Sequence, residues 1–169
     1  MDAPAAREIL RDAFTRIIEH VDDLTDGLSE EVSVYRPTPA ANSIAWLIWH
    51  SARITDAQLA HIDGTEEVWL REGWVDRFAL DLPREAHGYG HTAEEVARVR
   101  PPVDLLSGYY HAVHRMTLSY LAGVTAEELA RVIDENWSPP VTVSVRLVSI
   151  IDDCAQHLGQ AAYIRGMVR

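Results

Sequence analysis

Asp153 and His157 stand four residues apart in the run Asp152-Asp153-Cys154-Ala155-Gln156-His157-Leu158-Gly159-Gln160. On a helix that spacing places a carboxylate and an imidazole on one face, one above the other. Such a pair offers two ligands to a divalent metal, and His50, closing Trp46-Leu47-Ile48-Trp49-His50, is the candidate third. His50 shares a helical face with Ser43, Trp46, Leu47, Ile54 and Ala57, so its imidazole is expected to point inward, with Trp46 one turn away as a pocket wall. Asp153 shares its face with Ile150, His157, Gln160 and Ile164. A carboxylate among isoleucines is costly to bury unless it is paired or bound to a cation. Two imidazoles and one carboxylate suit zinc, nickel or iron, and three protein ligands leave a coordination position open.

Other residues compete for the same role. A lone inward histidine is more often a satisfied core residue than a ligand, and Asp153 has Arg146 two helical turns away as an alternative partner. His111 and His114 are three apart, but the neighbouring Tyr109, Tyr110 and Arg115 suggest a polar face. His87 and His91 are four apart in a loop interrupted by Gly88 and Gly90. Cys154 lies one residue off the Asp153 face, beside Ile150, Ile151, Leu158 and Ala161, and reads as a small core residue. The chain carries no HExxH, Walker loop, GxSxG elbow or GxGxxG, so nucleotide, dinucleotide and acyl-enzyme chemistry have no support.

The elements that must position these residues are helices. Apolar spacing predicts a first helix over about residues 5–26. Asn42-Ser43 caps a second over about 43–62, which stops before Asp63-Gly64. Residues 32–41, with Pro37 and Pro39, read as a loop, and 64–100 as the least regular part, with short helices broken around Gly73. Capping boxes at Thr92-Ala93-Glu94-Glu95 and Thr125-Ala126-Glu127-Glu128 open two further short helices. Pro101-Pro102 starts a third long helix to about 122. The last long helix runs over about 142–166; its start alternates like a strand, but no partner strand is visible. The fold class expected is all-α, a four-helix bundle with short extra helices in its connections, forming one domain over residues 1–169.

Composition narrows the partners. With 47% hydrophobic and 24% charged residues the chain is ordinary for a globular protein. A net charge of −11 argues against nucleic acid and anionic membranes, which need clustered cations. One cysteine permits no internal disulfide, no basic-then-apolar signal segment opens the sequence, and no apolar stretch approaches the roughly 20 residues of a membrane span. A cytoplasmic protein is expected.

Three stretches resemble the DinB-like family, and within it the thiol-dependent transferases related to mycothiol-dependent maleylpyruvate isomerase. They are 42–50 ending in His50, 153–166 with His157, Gly159-Gln160 and Tyr163-Ile164-Arg165-Gly166, and the connector with Trp69 to Phe78 and His91 to Val96. The resemblance implies an up-down-down-up bundle, a divalent metal on His50, Asp153 and His157, and homodimers. The maleylpyruvate isomerase branch carries glutamate where this chain has Asp153, one methylene shorter, which asks for closer helices, ligation through a water or a lower metal affinity. The activity implied is a thiol S-transferase: a low-molecular-weight thiol such as mycothiol takes the open metal position as thiolate and attacks a small-molecule electrophile. Gln160 would orient the metal's surroundings or the substrate, and Arg53 and Arg165 would anchor a carboxylated thiol or substrate. The alternatives are a metal-dependent hydrolase, with Asp56 or His114 as candidate general base, and a non-catalytic metal-binding, stress-related bundle.

Overall fold

The structure is a computed structural model that describes residues 3–168, so residues 1, 2 and 169 of the expected domain lie outside the described residues. Four long helices form the bundle: α1 (Ala3–Thr25), α3 (Ile44–Asp63), α7 (Val103–Gly123) and α9 (Val143–Met167). Between them lie α2 (Glu30–Ser33), α4 (Val68–Arg71), α5 (Trp74–Phe78), α6 (Ala93–Arg98) and α8 (Ala126–Ala130), with two short strands, β1 (Val132–Asp134) and β2 (Val141–Thr142).

The long helices pack in the cyclic order α1, α7, α3, α9. Arg7 at the start of α1 donates to the Ala122 carbonyl at the end of α7, so these two run antiparallel. Arg53, midway along α3, and Tyr109, in the first half of α7, bond at 3.3 Å, and Ile62 and Tyr120 further along line one cleft, so α3 and α7 are parallel. Ser51 meets Cys154 while Leu47 and Ile164 line one cleft, so α3 and α9 are antiparallel. The result is the up-down-down-up bundle. Its core is apolar: Phe14, Ile17, Val21 and Leu24 of α1 face Leu106 and Val113 of α7, Leu47, Ile48 and Leu59 of α3, and Leu147, Ile150 and Leu158 of α9.

Local chemistry sets the ends. The Ser43 hydroxyl accepts from Trp46 N at the start of α3, Thr92 and Glu95 form a reciprocal capping box, and Thr125 and Thr142 cap α8 and α9. Two expectations are corrected. Residues 30–33 form a helical turn capped by Ser29 at the edge of the stretch read as loop. Val141–Thr142 does have a partner strand: it pairs antiparallel with Val132–Asp134, just after the short helix α8. α9 therefore begins at Val143, and the alternating pattern before it belongs to this hairpin.

Candidate metal centre

α3 and α9 bring His50, Asp153 and His157 together, each offering a ligand atom within 4.8 Å of the others. On α9 the four-residue spacing sets His157 Nε2 3.5 Å from Asp153 Oδ1. The hydrogen bond between them holds the Asp153 carboxyl below its usual range and raises the His157 imidazole above its own. His50 is 6% exposed, and burial pushes its imidazole down to about 4, so it is neutral at neutral pH. Its Nδ1 lies 2.5 Å from the His87 carbonyl oxygen. A carbonyl can only accept, so Nδ1 carries the proton and Nε2 keeps its lone pair free for a metal. Trp46 stacks on His50 with ring centroids 4.5 Å apart and meets His157 edge-on at 6.1 Å.

A strap from the connector between α5 and α6 closes over this corner. Four consecutive carbonyls of the strap take donors from the core. Trp69 Nε1 donates to Arg84 O at 2.7 Å, Arg53 to Glu85 O at 3.5 Å and Ala86 O at 3.0 Å, and His50 to His87 O. Gly88 then passes so close to the site that a Cβ there would lie 2.5 Å from His50 Nδ1 and 3.1 Å from Trp46 Cζ2. Its φ of +96° is a conformation that L side chains rarely adopt. Three residues on, His91 Nδ1 accepts from Trp46 Nε1 at 3.2 Å, and its ring stacks on Trp49. His87 and His91, which compete as ligands in the sequence, are thus strap residues bordering the three donors. Gly88 is the signal of that close passage, while Gly90, with a φ of +75° and open space around its Cβ position, serves the turn alone.

The two arginines expected to anchor a substrate are engaged elsewhere. Arg53 is fully buried, ion-paired to Glu67 at 2.8 Å, 3.6 Å from Asp56, and lies over the Trp69 ring at 5.0 Å. Its guanidinium bonds the strap carbonyls of Glu85 and Ala86. Arg165 donates to the carbonyls of Asp23 and Asp26, tying α9 to the end of α1, where bare carbonyls attract a cation. Asp56, a candidate base for hydrolysis, is fully buried and accepts from Val68 N and Trp69 N at 2.8 Å and from the Tyr109 hydroxyl at 2.7 Å. His111 bonds Asp22 at 2.8 Å on the α1–α7 surface, and His114, the other candidate base, is packed beside that pair.

Gln160 interacts with His157 and lines a cleft of about 540 Å³ with Asn42, Leu47 and Tyr163. The opposite wall, residues 37–41, is pinned by Arg36, which donates to the carbonyls of Pro39, Ala41 and Ala93. Cys154 is buried beside the hydroxyls of Tyr110 and Thr55, and burial pushes its thiol up to about 11, far from nucleophilic readiness.

The three side chains fit a divalent cation. Asp153 Oδ2 and His157 Nδ1 are buried without a hydrogen-bond partner among the described residues, an expense that a cation would remove. Donors bound at about 2.0–2.2 Å can be no more than about 4.4 Å apart. A separation at the 4.8 Å limit therefore has only a few tenths of an ångström to close.

An all-α bundle with a two-histidine, one-carboxylate corner between its second and fourth long helices is the class of protein this fold and site define. The chain belongs to the mycothiol S-transferase family, which it matches over residues 9–169. It is also similar to a solved structure titled "conserved protein of locus from Enterococcus faecalis", with 40% identity, a TM-score of 0.88 and 94% of each chain covered. No curated protein matches it.

Proposed function

We propose that this protein is a metal-dependent S-transferase that joins mycothiol, or a closely related low-molecular-weight thiol, to a small electrophile in the cytoplasm. The observation that carries this reading is the trio of His50, Asp153 and His157 donors within 4.8 Å, with a buried Asp153 oxygen that no group among the described residues satisfies. Zinc and nickel suit the donor set best, with iron as the third choice. When bound, such an ion supplies the Lewis acidity that keeps a coordinated thiol deprotonated at neutral pH.

The chain's own groups do the rest. His50 stays neutral because it is buried, and the His87 carbonyl fixes which nitrogen it offers. Asp153 contributes the single negative charge of the donor set, and its hydrogen bond to His157 steers that ring. Trp46 stacks on His50 and closes one side. The cleft beside Gln160, one turn further along α9, receives the bulk of the thiol, and proximity supplies the remaining rate.

The test is elemental analysis of untagged protein followed by cobalt substitution and addition of mycothiol. The expected result is one divalent ion per chain and a change in the cobalt spectrum on thiol addition, both lost in His157→Ala. A protein that takes up neither zinc nor nickel is the non-catalytic bundle instead. A His157→Ala variant that keeps its metal and its thiol response would refute the assignment.

A further inference from the structure

We propose that the two strap imidazoles, His87 and His91, are substrate-facing hydrogen-bond donors, serving electrophiles that gather negative charge on an oxygen atom as sulfur attacks. This rests on the transferase reading and extends it to the class of electrophile.

Tautomer logic carries the first step. The indole N–H of Trp46 can only donate, so His91 Nδ1, 3.2 Å away, must accept. The backbone N–H of Tyr89 likewise donates to His87 Nδ1 at 3.2 Å. A neutral imidazole that accepts at Nδ1 carries its proton on Nε2, so both rings are held as Nε2–H donors. Among the described residues, neither Nε2 has a hydrogen-bond partner in the protein, and both rings are only partly buried.

Location carries the second step. The carbonyl of His87 bonds His50, and the ring of His91 hangs from the indole that stacks on His50. Electrostatic contact links His87 to both His50 and His91, so the imidazoles form one cluster with the strap pair on its rim. Arg53 and Arg165 do not compete for the role, because their guanidinium groups are committed elsewhere.

The chemistry balances without another reactant. As a thiolate adds to an α,β-unsaturated ketone, the S–C bond forms, the alkene pair moves inward and the carbonyl pair moves onto oxygen. The enolate oxygen accepts from Nε2–H, and the proton that the thiol released to solvent returns to carbon, giving the thioether. Displacement of iodide from an alkyl iodide places its negative charge on a leaving atom that needs no such donor.

The experiment compares cyclohexenone with iodoethane as acceptors for mycothiol, using the zinc-loaded enzyme. His91→Asn keeps an oxygen near the Nδ1 position for Trp46 but has no donor at Nε2; His91→Gln keeps an amide nitrogen there. The enone-to-iodide ratio of kcat/KM is expected to fall roughly 10- to 100-fold in His91→Asn and further with His87→Asn added, and to recover in His91→Gln. A ratio unchanged in His91→Asn, or an equal loss with Asn and Gln, overturns the proposal. Nitrogen-15 shifts of the ring nitrogens give a readout without turnover, and an Nδ1–H tautomer at His91 overturns it independently. If the wild-type enzyme turns over neither acceptor while both tautomers are as stated, the transferase reading fails and the proposal goes with it.

Discussion

Gly88→Ala is the substitution most directly determined by the geometry of the strap. The new methyl would sit 2.5 Å from His50 Nδ1, inside any real contact distance, and a tight 3.2 Å from His50 Cγ. Either the ring turns or the strap lifts, and both break the 2.5 Å bond from His50 to the His87 carbonyl. That bond is worth about 1 kcal/mol net. Holding alanine at a φ of +96° adds about 1–2 kcal/mol, so a total of about 2–3 kcal/mol is expected. Losing the partner that orients a ligand histidine typically weakens metal binding about 10- to 100-fold. Gly90→Ala is the control, with a φ of +75° and nothing within 4 Å of its added Cβ. It should show only the backbone cost and bind zinc as the wild type does. Urea unfolding of the metal-free protein gives the first quantity, and competition with a chelator for zinc gives the second. Equal zinc affinity in the two variants would refute the argument that the strap presses on and orients His50.

Arg53→Met leaves the Asp56 and Glu67 carboxylates without their buried cation, so a loss of about 3–5 kcal/mol is expected in urea unfolding, and a loss under about 1 kcal/mol would contradict the network. Cys154 in the native protein should react with a disulfide reagent only as fast as the chain opens, since its thiol is buried and pushed up to about 11; reaction at the rate of a free thiol would place it on the surface. Metal-free stability should respond to His50. Its folded pKa of about 4 lies below the ordinary 6.5, so the unfolded chain takes up the proton first and stability drops by about 3 kcal/mol as pH falls from 6.5 to 4. His157 acts in the opposite sense: its raised pKa contributes stability that is full below about 6.5 and is lost as pH rises through the folded value. The His50 share is therefore read as the difference between wild type and His50→Gln, and parallel pH profiles for the two would refute it.

The bundle was legible because its evidence is local. Apolar spacing marks α1, α3, α7 and α9, and Ser43, Thr92 and Thr125 announce starts that a hydroxyl facing a backbone N–H then makes. The donor trio was legible for a related reason: Asp153 and His157 share a turn, and the apolar neighbours of His50 turn it inward. The hairpin of β1 and β2 was not, because a strand of two residues carries almost no periodicity and its partner is short as well. The partners of Arg53 and Arg165 were not legible, because a guanidinium's type says nothing about which carbonyls or carboxylates receive its donors. Only the tertiary arrangement shows that one ends among Ala86, Glu67 and Asp56 and the other on the carbonyls of Asp23 and Asp26 around the end of α1.

The same arrangement explains why the connector between α3 and α7 is long and aromatic. Two helices alone would place three donors near one another but leave the His50 ring free to turn, and a metal site tolerates little such freedom. Asp56 caps α4 by accepting from Val68 N and Trp69 N, which seats the Trp69 indole on the Arg84 carbonyl. Arg53, one turn before Asp56 on α3, takes the next two carbonyls, and His50, one turn earlier again, takes the fourth. Residues 50, 53 and 56 thus form a single stripe along α3 that reads the strap carbonyl by carbonyl. The angle of the imidazole is consequently set by a buried ion-pair network outside the proposed metal site, and changes to that network should register in metal affinity before they register in the packing of the four long helices.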